Sequence, residues 1–378
     1  MKELLLRTKG DTPALALIKD RRLLEYWNLD EDLAFKAGAV YLGRAGRVMK
    51  SLQALFVTLA PGVEGFLPFD ELAGAPRPEP GQALLVQVKK PPQGGKAAYL
   101  TCDIALPGRY AMLLPRGSHA AASKRVPDKQ AMKQLARRLC PEGMGLVLRA
   151  SAAAAEKDAI AAEIARLKTD WQDLLDRAGR AAAPALLTPA PGILARLLRD
   201  ERELPEQVIT DDERAASGLA LPTRVHPDPF GLYGVEQQLH QALRRVVRLP
   251  SGGQLVLDPC EAALLIDVNT AQDGKKAGDL MLRTNLEAAN EIARLLRLRR
   301  AGGIILIDFI GMDTEAQRAV VQSALEEALK EDRITSEVLG FTRLGLMEMT
   351  RKKAEPKLLA QRLAENDHGM EEDIPDDA

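Results

Sequence analysis

Short apolar runs and glycine-containing breaks dominate the first part of the chain. Glu3–Arg7 and Ala14–Ile18 predict two strands, followed by a polar turn. From residue 38 to 115, apolar or β-branched runs alternate with turn signals about every ten residues, which is typical of a small barrel or sandwich. Gly43 and Gly46 in this region are interpreted as turn residues.

Helical patterns become longer in the second half. The Ala-rich run 152–177 has helical spacing with charged outer positions, which predicts a long helix. Residues 196–355 then alternate between the two patterns, with helices predicted over 235–247, 284–300 and 314–330 and strands over 261–268 and 304–310. Strand and helix in alternation at this spacing indicate an α/β fold.

Two aspartates lie near the carboxyl ends of the most apolar strands, Asp267 in the first and Asp308 in the second. Each apolar run is continuous, as expected for a strand covered on both faces. An ionised carboxylate beside such a core is unfavourable unless a cation or hydrogen-bond donors compensate it. Period-two alternation puts Asp267 and Asn269 on one face, and the single intervening helix predicts that the two strands are parallel neighbours.

Two carboxylates and a carboxamide at one sheet edge would form an oxygen-rich site, which suits magnesium better than zinc. The alternative is structural, because an Asp that ends a strand often forms a turn or caps the next helix. Spacing alone leaves both interpretations open. The four histidines and three cysteines show no metal-ligand spacing, so zinc is not expected.

The 38–115 region matches an OB-type barrel in length and strand count. Such barrels bind single strands by stacking bases on aromatic rings beside basic groups. Phe56 and Phe66 lie in neighbouring predicted strands, and Lys90 and Lys96 flank a loop from which they could reach phosphates. The alternative is that both phenylalanines belong to the barrel core.

Composition narrows the class of protein. At 378 residues, two or more domains are expected. The formal charge is −1, but residues 363–378 hold seven acids and no Lys or Arg, so the rest of the chain carries +6 and permits a nucleic-acid partner. No apolar run approaches the ~18 residues of a membrane span. The absence of a signal-peptide pattern and of paired cysteines fits a cytoplasmic protein.

Long motifs in the second half make the chain recognisable. They are Arg248–Gly253, Leu265–Asn269, Thr284–Ala289, Glu291–Arg294, Leu296–Arg299, Gly302–Ile305, Ile307–Ile310, Phe341–Leu346 and Glu348–Arg351. Together they resemble the RNase E/G family of endoribonucleases. The resemblance extends over nearly the whole chain.

The resemblance implies an α/β architecture with an inserted all-β domain. An RNase H-like subdomain would comprise residues 1–36 and 196–247. It would be interrupted by an OB-fold RNA-binding barrel at 37–115 and a 5′-sensor region at 116–195. A DNase I-like catalytic subdomain at 248–355 and an acidic tail at 356–378 would follow.

The resemblance also implies a magnesium-dependent endoribonuclease, with Mn²⁺ as the alternative ion. Asp267 and Asp308 would hold the catalytic metal, and Asn269 would orient the second aspartate or the scissile phosphate. Four barrel residues would bind the RNA: Phe56, Phe66, Lys90 and Lys96. Family members cut single-stranded RNA in rRNA or mRNA processing or turnover, leaving a 5′-phosphate and a 3′-hydroxyl.

Two departures from the family pattern change what is expected for 5′-end sensing and for the oligomeric state. The 5′-phosphate pocket has Arg followed by Thr in the family but Arg149 followed by Ala150 here, and loss of a hydroxyl donor predicts reduced or absent end sensing. The Cys-Pro-x-Cys zinc link has no counterpart beyond Cys260, which predicts a monomer or a dimer not linked by zinc. The alternative function is a non-catalytic RNA-binding factor with the same fold.

Overall fold

The computed structural model describes residues 1–10, 12–29, 34–93, 95–219, 221–270, 278–312 and 314–353, and the predicted acidic tail at 356–378 lies outside them. The chain divides into two compact units. Unit 1 comprises residues 1–29 and 203–378, and unit 2 comprises residues 30–202. Within the described ranges, no helix combines the length and apolar character that crossing a bilayer requires.

Three antiparallel strands begin unit 1: β1 (Lys2–Arg7), β2 (Ala14–Lys19) and β3 (Arg22–Asn28). The first two confirm the predicted strands. The predicted polar turn is limited to Asp20 and Arg21, which adopt the left-handed conformation with φ of 47° and 65°. The third strand escaped prediction because charged residues interrupt it, although its Leu23 and Trp27 are buried.

Unit 2 contains the predicted barrel. Its five strands are β4 (Val40–Met49), β5 (Ala54–Ala60), β6 (Val63–Pro68), β7 (Ala83–Lys90) and β8 (Ala98–Thr101). They pair in the order β4-β5-β6-β8-β7, and β7 pairs with β4 to close the barrel, an OB-like arrangement. Leu55, Val57, Leu67 and Leu100 are among the side chains that fill its interior.

Gly43 and Gly46 lie inside β4, so their interpretation as turn residues is wrong. A Cβ atom on Gly43 would lie 2.4 Å from the Val57 side chain, and one on Gly46 would lie 3.1 Å from the carbonyl oxygen of Phe56. The glycines therefore allow a close approach of β4 to β5, which closing a small barrel requires.

The remaining elements of unit 2 are β9 (Leu106–Pro107), β10 (Ala111–Leu114), β11 (Ala120–Ala122), α1 (Lys129–Leu139), β12 (Gly145–Leu148), α2 (Lys157–Arg180), β13 (Ala185–Thr188) and α3 (Ile193–Asp200). Helix α2 confirms the predicted long helix. Strands β9 to β12 form a second sheet in the order β11-β12-β10-β9. Residues 111–114, assigned to the barrel region from the sequence, thus pair outside the barrel, which ends at Thr101.

The chain then returns to unit 1 with β14 (Gln207–Thr210), β15 (Thr223–Val225), α4 (Val235–Leu243), β16 (Val246–Arg248), β17 (Gln254–Pro259), β18 (Ala263–Asn269), α5 (Gly278–Leu298), β19 (Gly303–Asp308), α6 (Glu315–Leu329), β20 (Ser336–Phe341) and β21 (Met347–Arg351). Strand β14 pairs in parallel with β1, giving the order β15-β14-β1-β2-β3. Strands that precede unit 2 in the chain and strands that follow it therefore share one sheet.

The other sheet of unit 1 has the order β16-β17-β18-β19-β21-β20. Its β18 and β19 are adjacent and parallel, as predicted from the single intervening helix. The helix predicted over 235–247 is too long, because α4 ends at Leu243 and residues 246–248 form the edge strand β16.

Among the described residues, strands β18 and β19 are covered on one face only, so the prediction that both faces are covered is wrong. Residues of α5 and α6 such as Ile292 and Val321 share a buried cluster with Ile266 of β18 and Ile305 of β19. On the opposite face, Leu265 is 42% exposed and Ile304 is 53% exposed. Apolar side chains on both faces made these strands look fully buried in the sequence. The open face is the one that carries the aspartates.

Candidate active site and nucleic-acid interface

The two aspartates predicted to act together lie side by side. Asp267 in β18 and Asp308 in β19 are direct partners in the parallel register. Neighbouring strands are about 4.8 Å apart, and register partners direct their side chains to the same face. Both side chains are exposed. The structure thus brings two carboxylates together on the open face of the sheet, at the carboxyl ends of their strands.

Asn269 completes this group. It lies two residues after Asp267 on the same strand, and its Nδ2 donates a hydrogen bond of 2.7 Å to Oδ2 of Asp267. The contact therefore goes to the first aspartate of the pair, whereas the resemblance implies that Asn269 orients the second aspartate or the scissile phosphate. It fixes the orientation of one carboxylate and leaves the amide oxygen of Asn269 available as a further acceptor.

A buried asparagine holds the chain beyond Asp308. Asn285 of α5 is fully buried, and its Nδ2 donates to the carbonyl oxygen of Ile310 at 2.9 Å. The backbone N–H of Ile310 donates in return to Oδ1 of Asn285 at 3.0 Å. This paired contact fixes the segment that follows β19. The residue belongs to a motif recognised in the sequence, but only the fold gives it this role.

The loop between β16 and β17 contacts both α5 and the carboxyl end of β18. The backbone N–H of Ser251 donates to Glu287 of α5 at 2.8 Å. Burial would raise the pKa of Glu287, but the hydrogen bonds from Ser251 and the nearby Arg283 hold it below its ordinary value. A Cβ atom on Gly253 would lie 2.8 Å from the carbonyl oxygen of Asn269. The Ser-Gly-Gly motif thus packs directly against the strand end that carries the site.

The donor set determines which metal the site could hold. Across the described ranges, no group of three or more His, Cys, Asp and Glu side chains is placed to bind a metal ion. The two carboxylates and the Asn269 amide supply only oxygen atoms. Magnesium is commonly held by one or two carboxylates together with water and substrate phosphates, whereas a structural zinc site needs four ligands of its own. The residues present therefore fit magnesium.

A row of aromatic rings crosses the outside of the barrel. Phe56 in β5 is the register partner of Phe66 in β6, which is in turn the partner of Tyr99 in β8. Their ring centroids are 5.9 Å and 6.2 Å apart. All three rings are partly exposed, while their neighbours along the strands fill the core. The interpretation of the two phenylalanines as core residues is therefore wrong. Tyr99 escaped prediction because it is one aromatic in a short strand.

Basic side chains flank the aromatic row. The Arg47 guanidinium lies 5.4 Å from the centroid of Phe56, and Nζ of Lys90 lies 5.4 Å from the centroid of Tyr99. Lys96 is exposed and forms an isolated backbone bridge with Gln93. Lys90 is thus part of this surface, and Arg47 is an addition that no pattern in the sequence singled out. Rings beside cations form the kind of surface on which single-stranded bases stack.

Arg149 is held by partners within unit 2. Its guanidinium donates to the carbonyl oxygen of Gly108 at 2.7 Å and to Oδ1 of Asp200 at 2.6 Å. Asp200 also accepts two hydrogen bonds from Arg199. Burial would raise the pKa of Asp200, but the two arginines hold it below its ordinary value. Ala150 supplies no side-chain donor beside this pair, so reduced end sensing stays a prediction.

The sequence matches a family model and several known proteins. A model of the ribonuclease E/G family matches residues 105–354. Ribonuclease G of Salmonella typhimurium is 34% identical over 84% of this chain and 72% of its own length. Ribonuclease G of Haemophilus influenzae is 31% identical over 94% of this chain and 80% of its own. Ribonuclease E of Escherichia coli is 32% identical over 95% of this chain and 37% of its own. The chain therefore belongs to the ribonuclease E/G family.

Proposed function

We propose that this protein is a magnesium-dependent endoribonuclease that cuts single-stranded RNA in RNA processing or turnover. The observation that carries the proposal is the register pairing of Asp267 with Asp308 on an open sheet face, with Asn269 bonded to the first. Relatives named ribonuclease G and ribonuclease E support the substrate class. A protein that only binds RNA gains nothing from paired negative charges facing phosphates.

The residues of the site have separate roles in the proposed reaction. Asp267 and Asp308 would hold magnesium, which when bound supplies a more acidic water and neutralises charge on the phosphate. Asn269 keeps the Asp267 carboxylate in one orientation, and Asn285 fixes the segment after Asp308. Hydrolysis breaks the bond between phosphorus and the 3′ oxygen. The water oxygen stays on the 5′-phosphate, and a proton ends on the 3′-hydroxyl.

Cleavage of a labelled RNA tests the proposal. A single-stranded RNA should be cut in magnesium, left intact when EDTA removes the metal, and cut again when excess magnesium is restored. The same sequence in a duplex is the control and should resist. Mapping the fragment ends should give 5′-phosphates and 3′-hydroxyls. RNA that is bound but never cut would identify a binding factor, and cleavage that persists in EDTA would exclude the metal role of the aspartates.

The aromatic row should provide much of the affinity for RNA. Replacing Phe66 by Ala or Leu removes a stacking surface worth about 1–3 kcal/mol per base, so the dissociation constant should rise roughly 5- to 150-fold. The Leu variant keeps apolar volume between Phe56 and Tyr99, which preserves the barrel. Fluorescence anisotropy with labelled RNA in EDTA measures the change without cleavage.

Phe35→Leu is a matched control, because Phe35 packs against the barrel core and stacks on Tyr41. It should bind RNA as the unmodified protein does. Unchanged affinity in both Phe66 variants, with the barrel still folded by circular dichroism, would show that RNA does not stack on this surface.

A further inference from the structure

Unit 1 contains a basic pocket to which the proposed reaction assigns no role. Its volume is about 760 Å³, and it lies at the β16 edge of the six-stranded sheet of unit 1, between α4, β16 and α5. Four arginines line it, Arg22, Arg244, Arg248 and Arg294, together with glutamines and one acid, Glu291. A cavity of this size is within the range of ordinary ligand sites.

The arginines are not balanced by acids. Glu291 is buried and accepts hydrogen bonds from Arg22 at 2.5 Å and from Arg294 at 2.6 Å, so one carboxylate serves two cations. Arg244 and Arg248 are exposed, and neither has a carboxylate partner in the part of the chain that the structure describes. Four cations against one acid leave an excess of positive charge, which favours an anionic ligand.

A fifth arginine lies behind the pocket wall. Arg299 is buried, and its guanidinium donates to the carbonyl oxygens of Ala242 and Arg244. Burial and the nearby charge of Arg294 lower the pKa of Arg299 to about 10, so it still carries its charge at neutral pH. It thus fixes the backbone that presents Arg244 and adds to the positive potential of the pocket.

Strand register relates one arginine of the pocket to the candidate active site. Arg248 of β16 is the register partner of Gln254 of β17, which is the partner of Asn269 of β18. Partners in an antiparallel register direct their side chains to one face, and two strand spacings amount to about 10 Å. Arg248 therefore lies on the same sheet face as Asn269, two strands away from it.

We propose that this pocket binds backbone phosphates of the RNA strand beside the bond that is cut. The planar guanidinium groups of Arg244 and Arg248 match phosphate oxygens in charge and in hydrogen-bond geometry. The inference rests on the proposed function, because it uses the position of the cleaved phosphate. It gives the pocket a task that the aspartates cannot perform, which is to attract and align a polyanion near two negative charges.

The double variant Arg244→Gln/Arg248→Gln tests the pocket. Its affinity for a labelled single-stranded RNA, measured by anisotropy in EDTA, should fall about tenfold, since two charged phosphate contacts are lost. The slope of log affinity against log salt should become shallower by about 1.4, or about 0.7 for each contact. With magnesium, KM should rise while kcat changes little, because the aspartates are intact.

Arg245→Gln is the matched control. Arg245 is adjacent in sequence and exposed, but it pairs with Asp258 at 2.5 Å and does not line the pocket. Removing its charge should leave affinity and salt slope near those of the unmodified protein. A pocket variant that behaves like this control would overturn the inference.

Two further results separate the possible failures. If the unmodified protein cuts no RNA, the proposed function fails, whereas normal cleavage with no difference between pocket variant and control refutes the pocket alone. Calorimetry with inorganic pyrophosphate tests whether free phosphate compounds are the ligand. Pyrophosphate binding that the double variant loses, with RNA affinity unchanged, would overturn the assignment to RNA.

Discussion

Replacing Asp267 or Asp308 by Asn should abolish RNA cleavage and leave RNA binding intact. Each substitution keeps the shape of the side chain but removes one of the two charges that would hold the metal. We expect the rate of cleavage to fall by about 10³-fold or more, as when a group that stabilises the transition state is removed. Single-turnover cleavage of labelled RNA in magnesium measures the rate, and anisotropy in EDTA measures binding.

Asp258→Asn is the matched control for this experiment. Asp258 is on the neighbouring strand β17, and its register partner is Leu265, so its carboxylate is on the same sheet face outside the candidate site. Its loss should leave cleavage unchanged. Full activity in either the Asp267 or the Asp308 variant would refute the assignment of the catalytic pair.

The position of the aspartates could be predicted because local pattern determines it. An apolar run ending in Asp267, one helix and a second run ending in Asp308 leave few topologies, and right-handed crossover connections place such strands side by side. The register that makes the two residues direct partners was not predictable from spacing. It depends on how α5 and α6 pack against one face of the sheet.

Features built from distant residues could not be predicted. Tyr99 joins the aromatic row only because β8 pairs with β6 as well as with β7, its neighbour in sequence. The basic pocket joins Arg22, Arg244 and Arg294, which come from three separate parts of the chain. Single arginines in a sequence are ordinarily surface residues, so their convergence is visible only in the fold.

A buried ion cluster explains how strand β3 can contain a charged residue. Glu25 is 3% exposed, and both Arg297 of α5 and Arg333 donate hydrogen bonds to its carboxylate. Burial alone would raise the pKa of Glu25, but the charges of the two arginines outweigh it and hold the pKa below its ordinary value of 4.5. The carboxylate is therefore charged in the folded protein at neutral pH, and it connects β3 to the helix behind the candidate site.

Replacing Glu25 by Ala should lower the free energy of unfolding of the protein by about 3–5 kcal/mol, because the buried Arg297 loses its carboxylate partner. Urea denaturation at neutral pH measures the loss. Glu327→Ala is the control, since its exposed pair with Lys330 should contribute less than about 1 kcal/mol.

The stabilisation by Glu25 should also depend on pH. Because the pKa of Glu25 is lower in the folded than in the unfolded protein, its ion pairs stabilise the fold at pH values above the unfolded pKa. This stabilisation is lost as the pH falls through the folded pKa. The difference between the Glu25 variant and the unmodified protein should therefore be largest at neutral pH and shrink below about pH 4.5. A difference that stays constant into acid would show that lost packing, not lost charge, causes the destabilisation.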